Sequence, residues 1–317
     1  MRRNALQFFS RGAPAALAAA LIATGWATFA LQSATAAPAA RELPVRAEVE
    51  RIIRESGAEI SVVFRTLDGR DALSIDADRV FHAASTMKIP VMIELYAQVK
   101  EKKARLDEPI EVKNQFASIV DGSPYQLDAG DDSDADVYKM IGKTMTLSDL
   151  CEHMITRSSN LATDLVIQRL GVERIRARVR RLHAGGMHVL RGVEDGKAFE
   201  KGMNNTTDAE ALETLLEAIA KGKAVDAKSS RAMVDILARS EFHEAIPAGV
   251  PSGVRIAHKT GEITGLHHDA AIVFARRPFI LVILLRGIPD RDKSSAIMAH
   301  LTRVIYDAAE KDVPVRQ

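Results

Sequence analysis

Five short apolar runs rich in β-branched residues sit at the two ends of this chain, and helical spacing fills the stretch between them. Glu59–Leu67 alternates apolar and polar residues and reads as a strand. Asp68-Gly69 is a hairpin signal, and Ala72–Ile75 is the returning strand. Val254–Thr260, Ala270–Ala275 and Phe279–Leu285 are the other three runs, with Arg276-Arg277-Pro278 as the turn between the last two. A lone two-stranded hairpin is marginal in water, so the runs at the two ends must meet. The expected fold is therefore α/β (α+β). It is an antiparallel five-stranded sheet built from both termini and flanked by helices, with an all-helical subdomain inserted.

The helices are legible from spacing and caps. One begins near Val45 (Val49, Ile52, Ile53) and stops at Gly57. Residues 86–102 carry a long periodic pattern. Thr146 with Asp149 resembles a capping box, as does Thr207 with Glu210, whose helix runs to Gly222. Gly171 ends a helix starting near Asn160, and Ser294–Lys311 closes the chain with an amphipathic helix. The α/β part spans about 47–80 and 223–317, the helical part about 81–222, and the two share one core. No internal repeat is present.

The first 40 residues read differently. Arg2, Arg3 and Arg11 precede an uncharged, Ala/Leu-rich run, which ends in Ala34-Thr35-Ala36. A basic start, an apolar middle and a small-x-small site make a secretory signal peptide over 1–36, with an uncleaved anchor as the alternative. Residues 37–46 are a flexible lead-in, and 47–317 the working domain. The mature protein is expected to be secreted or periplasmic, without a stable membrane span. Arg2-Arg3 leaves Sec and twin-arginine export both open.

Losing three arginines and no acid takes the formal charge from +1 to −2. With 5% aromatic residues and no long basic run, a nucleic-acid partner is not expected. The chain should act as a monomer on a small molecule. Cys151, the single cysteine, sits in an apolar helical pattern and reads as a buried hydrophobe. No H-E-x-x-H or other ligand spacing is evident, so no metal or other cofactor is called for. The acidic run Asp128–Asp136 lacks the central glycine and terminal glutamate of a calcium loop, and a solvated loop is expected.

Three short elements carry chemistry. Ser85-Thr86-Met87-Lys88 opens a helical pattern, which places the lysine one turn from the serine on the same face. A serine hydroxyl is a poor nucleophile until a base takes its proton, and a lysine of depressed pKa can do so. Ser158-Ser159-Asn160 falls between two helices, where Ser158 could relay a proton and Asn160 could bond a carbonyl; helix capping is the simpler role for both. Lys259-Thr260-Gly261 ends a strand: Lys259 and Thr260 suit a carboxylate, and Gly261 permits close approach.

Taken together, and in this order, the three resemble the S-x-x-K, S-D-N and K-T-G signature of class A β-lactamases and penicillin-binding proteins. The resemblance covers the order of elements from about Val45 to Ala309. It implies that Ser85 is acylated, that Lys88 acts as base directly or through a water, and that Ser158 protonates the departing nitrogen. It implies an oxyanion hole from the N–H groups of Ser85 and Glu262. Lys259, Thr260 and Gly261 would receive the substrate carboxylate, and Asn160 its amide side chain. The implied function is β-lactam hydrolysis; the alternative is a D-alanyl-D-alanine carboxypeptidase or related penicillin-binding-type cell-wall peptidase with slow deacylation.

This sequence departs from the pattern in places. The second element reads S-S-N, and Ser158 follows Ser85 by 73 residues, a longer gap than class A usually shows. The deacylating glutamate belongs to an E-x-x-L-N pattern that is not intact here. Glu194 stands in about the right place but has Ala198 where the asparagine should be; Glu200-Lys201-Gly202-Met203-Asn204 keeps the asparagine but comes late. The Asn205-Thr206-Thr207 landmark favours Glu194. His267-His268-Asp269 reads as a strand-end polar pair or as the lining of the site's mouth, with His268 near the place where relatives carry an arginine.

Overall fold

The computed structural model of the protein describes residues 40–311. The leader expected over 1–36 lies outside them, as do residues 37–39. Along the chain, strand β1 (Arg41–Glu42) is followed by helix α1 (Arg46–Ser56), β2 (Glu59–Thr66) and β3 (Asp71–Ile75). Gly57 ends α1 in the left-handed conformation (φ 69°), its N–H returning to the Arg54 carbonyl. The helical part holds α2 (Lys88–Lys100), α3 (Leu147–Thr156), α4 (Asn160–Leu170), α5 (Val172–Arg181), α6 (Gly196–Glu200) and α7 (Ala209–Ala220). Three small antiparallel ladders tie it together. They pair β4 (Phe81–His82) with β9 (Thr206–Thr207), β5 (Pro109–Glu111) with β8 (Thr144–Thr146), and β6 (Phe116–Ala117) with β7 (Pro124–Tyr125). The chain then runs through α8 (Ala227–Leu237), β10 (Arg255–Ile263), β11 (Leu266–Phe274), β12 (Phe279–Arg286) and α9 (Arg291–Lys311).

The fold is mixed α/β. The main sheet has six strands in the order β1-β3-β2-β12-β11-β10, which corrects the expected five. The five expected strands pair antiparallel, with β12 from one end of the chain beside β2 from the other. The sixth, β1, pairs parallel to β3 through Arg41↔Asp71 and Glu42↔Ala72. The lead-in is therefore tied down from Arg41 onward: an open β3 edge has N–H and C=O groups to satisfy, and Leu43 beyond it is buried.

β2 is buried on both faces, against the one-sided alternation its sequence suggests. Ile60, Val62 and Phe64 face α1 and α9 in one apolar cluster; Val63 faces the helical part in the other. That second cluster joins sheet residues Val63, Ala270, Ile272, Val282 and Leu284 to α2, α3, α4 and α7, so the helical part packs onto the sheet. Cys151 is buried within it. Thr146 caps α3 as expected, accepting the Asp149 N–H at 3.0 Å. The cap of α7 is Asp208 rather than Thr207, because Thr207 is committed to pairing with Phe81.

Candidate active site

Ser85 lies in a single 3₁₀ turn, Ala84–Met87, that runs directly into α2. The turn is locked from several sides. Ala84 adopts φ 44°, a strained value for a residue with a Cβ, and its N–H donates to Nδ1 of His82 at 3.0 Å. The Thr86 hydroxyl donates to the Ala83 carbonyl at 2.6 Å, and the Ala83 N–H reaches the Asn205 carbonyl at 2.8 Å. The serine opens onto a groove of about 820 Å³ lined also by His82, Asn160, Glu194 and Glu262.

Behind it, Lys88 is fully buried. Its ammonium donates to the Ser158 carbonyl at 2.5 Å, to Asn160 Oδ1 at 2.9 Å and to the Ser158 hydroxyl at 3.2 Å. Burial disfavours its charged form and brings its pKa down to about 8, against the pull of Asp132, Asp164 and Glu194. Lys259, also fully buried, donates to the same Ser158 hydroxyl at 2.9 Å and to the Thr260 carbonyl at 2.8 Å. Burial first, and the nearby Lys88 second, hold its pKa well below the usual lysine range. Ser158 itself has φ 61°, and the following Ser159 caps α4 by accepting the Ala162 N–H at 3.2 Å. One hydroxyl thus bridges two lysines that the sequence separates by 171 positions.

β10 brings Lys259, Thr260, Gly261 and Glu262 along the same turn. A Cβ on Gly261 would stand 3.1 Å from the Ser85 backbone nitrogen and 3.0 Å from that of Thr86, so any larger residue would require the strand or the turn to give by a few tenths of an ångström. Gly261→Ala is expected to push the strand off the serine and lower the acylation rate by about tenfold or more, the scale set by loss of positioning. Burst kinetics with thermal melting would check it: an unchanged rate would mean that the strand can shift without disturbing Ser85. Glu262 is exposed, its carboxylate paired with Arg291 at 2.8 Å.

Glu194 reaches the groove with φ 56° and accepts a 2.6 Å bond from the Asn160 amide. Burial raises its pKa above the ordinary glutamate value, and Asp132 and Asp131 push the same way. Glu200 is exposed at the end of α6 and does not line the groove. Ala198, in the asparagine's place, is buried, its N–H used by the Asp195 cap at 3.1 Å.

Two carboxylates whose part sequence reasoning missed, Asp132 and Asp164, hold the segments that carry Asn160 and Glu194. Asp132, inside the acidic run, is buried and accepts the N–H groups of Asn160 and Leu161 at 2.9 and 3.0 Å, where a helix N-terminus favours negative charge. Asp134 is buried against His153 at 2.5 Å. The run is therefore pinned at Asp132 and Asp134 rather than solvated throughout, because α3 and α4 offer it donors. Asp164, one helical turn beyond Asn160, is buried, its pKa pushed up to about 7 by desolvation. It accepts the Val193 N–H at 2.7 Å and the Tyr125 hydroxyl at 3.0 Å, fixing the segment that carries Glu194. The one available signal was its i+4 spacing from Asn160.

His267, His268 and Asp269 are the second to fourth residues of β11, at the strand end next to the hairpin turn as the pattern suggested, but they are buried and do not line the groove. His268 Nε2 donates to the His82 carbonyl at 3.0 Å, and its Nδ1 accepts the Leu285 N–H at 3.2 Å. Burial drives its pKa down to about 3, so it is a neutral strut beneath the Ser85 turn and no substitute for an arginine. Asp269 pairs with Nδ1 of His258 at 2.9 Å.

Comparison with known proteins bears on this arrangement. A model of the beta-lactamase enzyme family matches residues 44–309. The chain is 28% identical over 188 residues to a beta-lactamase of Bacillus licheniformis, covering 54% of this chain and spanning 58% of that relative's length. It is 23% identical over 312 residues to beta-lactamase L2 of Stenotrophomonas maltophilia, covering 96% of this chain and 97% of the relative. Among solved structures it resembles PBP-A in fold, with a TM-score of 0.72 and 24% identity over 86% of this chain and 99% of the other.

Proposed function

Because the chain belongs to the beta-lactamase enzyme family, we propose that it hydrolyses β-lactams through an acyl-enzyme on Ser85. The observation that carries this reading is the fully buried Lys88 amine. Its pKa is about 8, and it is bonded to Ser158 and Asn160 behind the serine's groove. At such a pKa a lysine can hold or release a proton near neutrality. Lys88, directly or through a water, takes the Ser85 proton, and Oγ attacks the lactam carbonyl. The oxyanion accepts the N–H groups of Ser85 and Glu262. When the C–N bond breaks, the proton passes through Ser158 to the departing nitrogen. Glu194 then takes a proton from the water that attacks the ester, and Ser85 is restored. No cofactor takes part.

Lys259 and Thr260 receive the substrate carboxylate in this scheme. An arriving carboxylate favours the charged form of Lys259 and offsets the burial that disfavours it. Lys259→Ala should weaken capture of carboxylate-bearing substrates by roughly 2–3 kcal/mol, the scale of a charged hydrogen bond. Neutral ester substrates should lose much less. Equal losses for both would assign Lys259 to proton transfer or structure.

A second reading, a D-alanyl-D-alanine carboxypeptidase or related cell-wall peptidase that deacylates slowly, is favoured by one feature. Glu194 has Asn160 beside it, but the asparagine of its own segment is replaced by the buried Ala198. Steady-state hydrolysis of a chromogenic cephalosporin, with intact-mass detection of the acyl-enzyme, tests both readings. Turnover supports the first; acylation that stalls supports the second; neither would overturn Ser85 as nucleophile. We further propose that residues 1–36 export the protein. Among the described residues no helix is long and apolar enough to cross a membrane.

A further inference from the structure

The groove around Ser85 is acidic at the end where Asn160 lies. Asp128, Asp131 and Glu194 line it there. They form one patch: Asp131 is close enough to raise the Glu194 pKa, and the Asp128 backbone N–H meets the Glu194 carboxylate. Among the described residues none of these three carboxylates is in an ion pair; the Asp128 carboxylate accepts the Gly130 N–H at 2.8 Å. The one guanidinium lining the groove, Arg191, is buried, its N–H groups committed to the carbonyls of Met203 and Gly192 and to Asn204 Oδ1. The opposite end differs, because Glu262 is neutralised by Arg291 and both buried lysines lie toward Ser158. The groove is a reacting site on grounds independent of these charges, since Ser85 opens into it and Asn160 couples it to Lys88. Unpaired like charges in a cleft focus their field on whatever enters.

Resting on the β-lactam reading above, we infer that this site selects acyl side chains bearing a positive charge near the amide, an α-ammonium group being the simplest case. The scissile ring sits at Ser85 with its carboxylate toward Lys259. Its amide arm therefore points past Asn160 at Asp128 and Asp131, where an ammonium gains attraction and a carboxylate meets repulsion. No bond changes in this recognition, and the acylation step is the same for every side chain.

Three penicillins that differ only at the carbon next to the side-chain carbonyl provide the test: benzylpenicillin (hydrogen), ampicillin (ammonium) and carbenicillin (carboxylate). Single-turnover acylation of the full mature chain should rank ammonium above hydrogen above carboxylate. Each step should be about fivefold at low ionic strength, the scale of one charge pair at contact distance in water, and the steps should shrink as salt screens it. The double variant Asp128→Asn, Asp131→Asn should collapse the ranking while keeping the benzylpenicillin acylation rate within about twofold, because neither carboxylate takes part in the proton transfers of acylation and a single exposed charge is worth little in water. If that variant fails to fold, the salt dependence of the unaltered protein decides alone. A flat or reversed ranking, or one that salt does not compress, overturns the inference and leaves the β-lactam reading intact. Failure of all three compounds to label Ser85 overturns the β-lactam reading, and the inference falls with it.

Discussion

Ser85→Ala is expected to abolish covalent labelling by a penicillin, and Lys88→Ala to slow labelling by at least about 10²-fold, the usual contribution of a positioned general base. The first result is expected because Ser85 opens onto the groove from a locked turn at the head of α2, one helical turn before Lys88, whose pKa is about 8. The second follows from what burial does to Lys88: desolvation lowers the cost of losing its proton. The sign of the pH dependence is fixed by the same fact. A base must be neutral to accept a proton, so the acylation rate of the unaltered protein should rise as pH rises through about 8 and then level. Stopped-flow labelling across pH, with intact-mass analysis of the adduct, checks all three statements. Labelling that persists on another residue in Ser85→Ala would remove Ser85 from the mechanism. A flat pH profile together with an unchanged Lys88→Ala rate would remove Lys88.

Glu194→Gln is expected to leave acylation nearly intact and to trap the acyl-enzyme, slowing its hydrolysis by about 10²-fold, again on the scale of a lost base. Hydrolysis of an acyl-serine needs a water that is both oriented and deprotonated. Glu194 stands in the groove with a raised pKa, held by the Asn160 amide and by the Asp164–Val193 bond beneath it. Glu200, the other candidate, lies outside the groove, so Glu200→Gln should leave the lifetime of the adduct unchanged. Because Ala198 supplies no second amide for the water, deacylation in the unaltered protein should already be slow, with the adduct accumulating at steady state. The decay of the isolated adduct, followed by mass, separates the outcomes. If neither glutamate matters, the water is activated elsewhere and the peptidase reading gains ground.

Some elements were readable because their signals are local. The β2–β3 hairpin shows in Asp68-Gly69, α1 in its apolar spacing and closing Gly57, and α3 in the Thr146 cap. Others misled for reasons that are not local. The alternation of β2 suggests one wet face, yet α1 and α9 cover one side and α7 the other. Thr207 has the composition of a cap, but pairing with Phe81 takes its backbone and Asp208 caps instead.

The sequence by itself determined the type and order of the main elements, because periodicity, caps and turn residues act within a few positions of one another. It also determined which residues stand as candidates: Ser85, Lys88, Ser158, Asn160, Lys259 and Gly261, each in a short motif. Only the tertiary structure decided how these are wired. It set Ser158 between two lysines, put Asp132 and Asp164 into the interior, turned His268 into a neutral strut, and chose Glu194 over Glu200 as the glutamate in the groove. These outcomes depend on burial and on partners far away in the chain. A side chain's charge state and reach follow from the dielectric and the donors that folding brings to it, and neither is written at its own position.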